Sequence, residues 1–85
     1  MQVRRRHERR NEFAAQLRVG RAVLGWTQSE LAARAGLALR SVAGIESGTA
    51  VPRSETWRRL LSVFVEEGIE FDQSADRWEM TVSRR

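Results

Sequence analysis

Residues 27–48 read TQSELAARAGLALRSVAGIESG, and the way this stretch folds decides the architecture of the chain. Thr27-Gln28-Ser29-Glu30 is a capping box. The Thr27 hydroxyl takes the amide three residues on, and Glu30 reaches back to the amide of Thr27. Trp26 and Leu31 stand at the two positions of a hydrophobic staple. The helix so started runs through Leu31, Ala32 and Ala35 and stops at Gly36, a natural left-handed residue after a helix. Leu37, Val42 and Ile45 then repeat at the spacing of an inward helix face over residues 38–47, which Gly48 ends. Two short helices joined by Ala35-Gly36-Leu37-Ala38 make a helix-turn-helix. In such a pair the second helix enters the major groove of DNA and the first lies across the backbone. The free amides at the start of the first helix bind an anion, and Thr27, Gln28 and Ser29 are small or polar enough to allow it.

The flanks supply the rest of a bundle. Phe13, Leu17 and Leu24, with Ala14 and Val23 beside them, predict a first helix over residues 9–24, ended by Gly25. Gly20 lies inside it at a cost of about 1 kcal/mol relative to Ala, which marks a point of close packing. The segment TAVPRS (49–54) is a loop with Ser54 as the N-cap of a fourth helix over residues 55–67. Trp57, Leu60, Leu61 and Phe64 lie on one face of that helix, and Gly68 ends it. The period then changes to two. Ile69 and Phe71 alternate with Glu70 and Asp72, and Trp78, Met80 and Val82 with Glu79 and Thr81, which predicts two short strands. A lone hairpin is marginal in water, so its apolar face needs a cover, either the helices or a second subunit.

At 85 residues the chain is one small domain, of the size that often gains stability from a partner subunit. An apolar fraction of 41% suits a globule rather than a disordered chain. No apolar run approaches a membrane span, the N-terminus lacks the apolar core of a signal peptide, and there is no cysteine. A cytoplasmic protein is the simplest reading. Residues 1–10 carry five Arg and one Glu, while the remainder carries ten Arg against ten acids, so the whole net charge of +4 sits in MQVRRRHERR. A basic arm beside a compact domain commonly meets nucleic acid; the plainer alternative is a solvated terminus. Every basic side chain is Arg, which reflects either genome composition or a phosphate-binding and guanine-binding role. The chain divides into a basic arm (1–10), a helix-turn-helix domain (11–68) and a strand pair (69–85).

LRVGRAVLGWTQSELAARAGL (17–37), then VAGIESG (42–48) and Pro52 four residues later, resembles the Cro/phage-repressor (XRE) helix-turn-helix family. The likeness covers about residues 17–65. It implies a mainly α, lambda-repressor-like bundle of four to five helices, followed here by a short C-terminal β-hairpin or strand pair. It also implies a transcriptional regulator of bacterial or phage origin, expected to repress, that binds duplex DNA as a homodimer on a two-fold operator. By resemblance, Gln28 contacts phosphate and braces the reading helix, and Arg21 and Glu46 form a partly buried ion pair. Ala38, Leu39, Arg40 and Gly44 fall where the family reads bases. Ser41, Ser47, Thr49 and Arg53 fall at or near its phosphate contacts, and Thr27 lies at the helix start that faces the backbone. Arg4, Arg5 and Arg6 of the arm suit an adjacent minor groove. Ile69, Phe71, Trp78, Met80 and Val82 are the expected dimer contacts.

The reading helix departs from the family pattern. Position 38 usually holds Ser or Thr, and Ala38 forfeits about 1 kcal/mol of capping. Arg40 is the one strong reading group and matches guanine O6 and N7; Leu39 and Ala43 offer only apolar contact, for example with a thymine methyl. Gly44 reads nothing but lets another backbone come close. Either specificity rests on Arg40, methyl contacts, the arm and DNA shape, or the helix serves a protein partner, as in an antitoxin-like or phage accessory scaffold. Catalysis is not expected. His7 is the single histidine and no nucleophile–base pair, phosphate loop, metal spacing or cofactor motif is present. Trp26 and Trp57 sit at core spacing. The acids between Glu66 and Glu79 read as a solvated face that repels DNA.

Overall fold

A computed structural model of the chain describes the backbone of residues 5–74 and 77–83 and the side chains of residues 10–72 and 78–83. Four helices, α1 (Arg5–Leu24), α2 (Gln28–Ala35), α3 (Leu39–Glu46) and α4 (Ser54–Glu66), precede two strands, β1 (Ile69–Ser74) and β2 (Arg77–Val82). The fold is thus mainly α with a terminal hairpin. α1 begins four residues before the expected start. The apolar period only begins at Phe13, but the Arg and Glu residues before it are good helix formers and no Gly or Pro among them breaks a helix.

Local chemistry sets the helix-turn-helix. Thr27 Oγ1 accepts from the Glu30 amide at 3.0 Å and Glu30 Oε1 accepts from the Thr27 amide at 2.7 Å. Gly36 adopts φ 69°, ψ 37°, a left-handed conformation that suits glycine. The Leu37 amide then bonds the Ala32 carbonyl at 2.9 Å. α3 starts at Ala38 with no side-chain cap, so packing of Val42 and Ile45 must hold it. The cap of α4 is Arg53, not Ser54, which is already helical; it too lacks a side-chain cap bond.

Leu17, Leu31, Val42, Leu60, Phe64 and Ile69 form the fully buried centre, one or more from each helix and one from the hairpin. Burying side chains of this size stabilises by about 1.5–3 kcal/mol each relative to exposure. Gly20 is where α1 meets α4: a Cβ built there would lie 2.6 Å from Phe64 Cε1. Phe13 packs edge-on against Trp57 with centroids 4.7 Å apart.

The strands pair antiparallel with Ile69 opposite Val82, Phe71 opposite Met80 and Gln73 opposite Trp78. All the expected apolar hairpin residues therefore share one face. The helices supply most of its cover. Ile69 belongs to the buried centre, Phe71 and Met80 pack against it, and the Phe71 ring sits edge-on to Phe64 at 5.5 Å and to Trp78 at 5.8 Å. The Ile69 side chain, expected at a dimer contact, is buried within its own chain. Trp78 is half-buried and Val82 is exposed. Gly68 joins α4 to β1 at φ +87°, and its carbonyl accepts from the Ser83 amide at 2.7 Å, which closes the open end of the hairpin.

Candidate nucleic-acid interface

The helix-turn-helix is fastened through one buried carboxylate. Glu46, at the end of α3, accepts from Arg21 Nε at 2.6 Å through Oε2 and from Arg21 Nη2 at 2.9 Å through Oε1. This two-point geometry is the strong form of a charge-assisted bond. Arg21 Nη1 also donates to the Trp26 carbonyl at 2.7 Å, and Gln28 Nε2 donates to Glu46 Oε1 at 3.1 Å. Arg18 Nη1 donates to the Glu46 backbone carbonyl at 2.9 Å. One residue thus fastens α1, the start of α2 and the end of α3. Burial by itself raises the Glu46 carboxyl, but the hydrogen bonds from Arg21 and Gln28, with the charges of Arg21 and Arg18, outweigh it and leave it below its ordinary value. The hydrogen bond to Glu46 raises Arg21 above its own, against the opposing effect of burial.

Two further braces were not evident in the sequence. Arg34 lies over the Trp26 ring, 4.3 Å from its centroid, a cation–π contact that closes the α1–α2 corner. Arg59 Nη1 donates to the Gly36 carbonyl at 3.3 Å and ties α4 to the turn of the motif. Neither pair carries a local signal. Arg18 carries a weak one, since it stands three residues before Arg21 and so shares its side of α1.

The frame leaves one side of α3 open. Ala38, Leu39, Arg40 and Ser41 are exposed, with Leu39 at 49%, and Ala43 and Gly44 are partly so. Arg40 has no hydrogen bond or ion pair among the described residues, so its guanidinium is uncommitted. A Cβ on Gly44 would meet Ala50 Cβ at 3.5 Å and Thr49 Oγ1 at 3.7 Å. These are ordinary contacts, so the chain's own packing has no need of glycine there. Next to it the Gly44 carbonyl receives Ser47 Oγ at 3.0 Å, Thr49 Oγ1 at 3.1 Å, and the amides of Thr49 and Ala50 at 3.0 and 3.2 Å. A carbonyl has two lone pairs, so the two exposed hydroxyls, themselves 3.0 Å apart, are loosely held donors. Arg53 is exposed at the head of α4.

Thr27 is exposed, and its oxygen serves the α2 cap. Gln28 is half-buried with its amide turned to Glu46, so its bracing contact is visible. Arg4 lies outside the described residues. Arg5 and Arg6 lie in the first turn of α1, and their side chains are outside the described set. Among the described residues no group of three or more His, Cys, Asp or Glu is placed to hold a metal ion, and no helix is long and apolar enough to cross a membrane.

Comparison with curated proteins found no match. The family profile described as a helix-turn-helix domain matches residues 12–81, from the second described turn of α1 almost to the end of β2. The chain therefore belongs to the helix-turn-helix domain family, in the XRE-like group.

Proposed function

We propose that this protein is a sequence-specific DNA-binding transcriptional regulator that acts as a homodimer with α3 in the major groove. The observation that carries this reading is the uncommitted Arg40 on an exposed α3 whose inner side is fastened through Glu46. Such a helix can be pressed into a groove without shifting on its domain. Arg40 pairs with guanine, and Leu39 and Ala43 meet thymine methyls. Thr27, Gln28, Ser41, Ser47, Thr49 and Arg53 position the domain on phosphates. Arg4, Arg5 and Arg6 contribute the sequence-independent charge that draws the domain to DNA. Repression by occupancy is the simplest outcome of such binding, and the cytoplasm of a bacterium is its expected setting.

One observation favours a second reading, a scaffold for a protein partner. Leu39 and Val51 are both about half exposed, and Ala43, Gly44 and Ala50 add no polar group. Selection of sites from a random duplex library at two salt concentrations separates the two. Enrichment of an inverted repeat with half-sites about one helical turn apart is the expected result. Salt-sensitive binding without enrichment would remove the base-reading role of α3, and absence of binding would favour the scaffold.

A further inference from the structure

The end of the molecule remote from Arg5 holds an open groove of about 460 Å³ whose walls include Val23, Leu24, Glu66, Glu67 and Val82. Its chemistry is unusual for a free surface. Val23 and Val82 are exposed at 44% and 39%. Both α1 and α4 end here, and a helix C-terminus carries partial negative charge. The last turn of α4 nevertheless has no basic residue and ends on Glu66, with Glu67 as the next residue. No ion pair reaches Glu66 or Glu67 among the described residues. Two exposed valines beside two carboxylates fit one side chain above others. Arginine lays its methylene stem on apolar surface and keeps its head outward, and its guanidinium pairs with carboxylate in two-point geometry.

The chain carries such a segment in residues 1–10, which hold the entire net positive charge. It cannot reach its own groove. The twenty residues from Arg5 to Leu24 form one helix about 30 Å long, which holds Arg5, Arg6, Arg9 and Arg10 away from the groove at its other end. A second copy has no such obstacle. Two α1 helices laid antiparallel about a two-fold axis bring each basic N-terminus beside the other copy's groove. Both contacts are made at once, and the interface closes without leading to a filament.

We infer that the basic N-terminal turns of α1 in one copy dock in the Glu66–Glu67 groove of a second copy and form a two-fold dimer. This rests on the homodimer reading above and names its interface. Five arginines exceed what two carboxylates take, so positive charge remains for DNA.

Sedimentation equilibrium of three variants tests it: Glu66→Arg with Glu67→Arg, Arg5→Glu with Arg9→Glu, and the four changes together. Far-UV circular dichroism and urea midpoints verify that each variant folds. The wild type should dimerise, more weakly as salt rises. Each paired reversal should weaken the dimer by on the order of tenfold or more, since repulsion replaces attraction at both symmetric contacts. The combined charge swap should restore much of the loss. A dimer indifferent to both reversals would overturn the interface and leave the homodimer reading standing. A wild-type monomer at DNA-binding concentrations would overturn both.

Discussion

Arg21 and Glu46 stand 25 positions apart in sequence and meet in a two-point ion pair at 2.6 and 2.9 Å, with the Glu46 side chain 4% and the Arg21 side chain 22% exposed. Their contact fastens the end of α3 to α1, while Gln28 holds the same carboxylate from α2. Removing one partner leaves the other charge in place with less solvent to serve it. Glu46→Ala should therefore destabilise the fold by about 2–4 kcal/mol, somewhat below the range for a fully buried pair because Arg21 keeps some water. Urea unfolding measures this, and a loss under 1 kcal/mol would show the pair to be a surface contact in effect.

Glu46 also gives stability a pH dependence. Its carboxyl lies below its ordinary value of 4.5 in the folded chain. The contribution is complete above that ordinary value, where both folded and unfolded chains are ionised. It is lost as pH falls through the lower folded value, because the unfolded chain takes the proton first. Unfolding measured from about pH 6 downward should show a steeper acid loss in wild type than in Glu46→Gln. Parallel curves would assign the acid sensitivity elsewhere.

Gly20 and Gly44 are both helical, and substitution should act in opposite directions. At Gly20 an added methyl collides with the Phe64 ring, and overpacking of this kind costs about 1–3 kcal/mol, more than the gain in helix propensity. At Gly44 it meets only ordinary contacts, so Gly44→Ala should stabilise the free protein by about 0.5–1 kcal/mol. On the proposed reading the same change weakens DNA binding, because the methyl occupies the surface that DNA approaches. Thermal midpoints and binding titrations on both variants settle the signs.

Ala38 has the extended backbone of an N-cap, φ −73°, ψ 146°, and no cap bond. Ala38→Ser places a hydroxyl where the amides of α3 can use it and should raise stability by about 1 kcal/mol. Calorimetry showing no gain would mean that the α3 amides are already satisfied by other means.

Arg40→Ala should weaken binding to a selected operator by about 1–3 kcal/mol and leave stability nearly unchanged, since Arg40 has no internal partner. An equal loss on random duplex would make Arg40 a phosphate contact. With six or more phosphate contacts, affinity should fall by about three decades between about 50 and 200 mM salt.

The sequence by itself determined whatever depends on neighbours within a turn or two. Thr27 and Glu30 complete their cap across three residues, Gly36 turns the chain with its own φ, and the period-two pattern of Ile69, Phe71, Trp78, Met80 and Val82 is a property of the strands alone. These set the helix-turn-helix and the hairpin before any tertiary contact exists. The turns of α1 before Phe13 carry no apolar period, because their helix formers are charged. Other features lay in contacts between distant segments, which no local pattern records. An alternating strand looks the same whether helices or a partner cover it, and only the packed chain shows Ile69 and Phe71 against Phe64. The seats of Arg34 on Trp26 and Arg59 on Gly36, like the meeting of Val23 with Glu66 and Val82 around one groove, exist only once the helices are arranged. Tertiary structure decided them because long side chains select their partners from whatever the fold brings within reach.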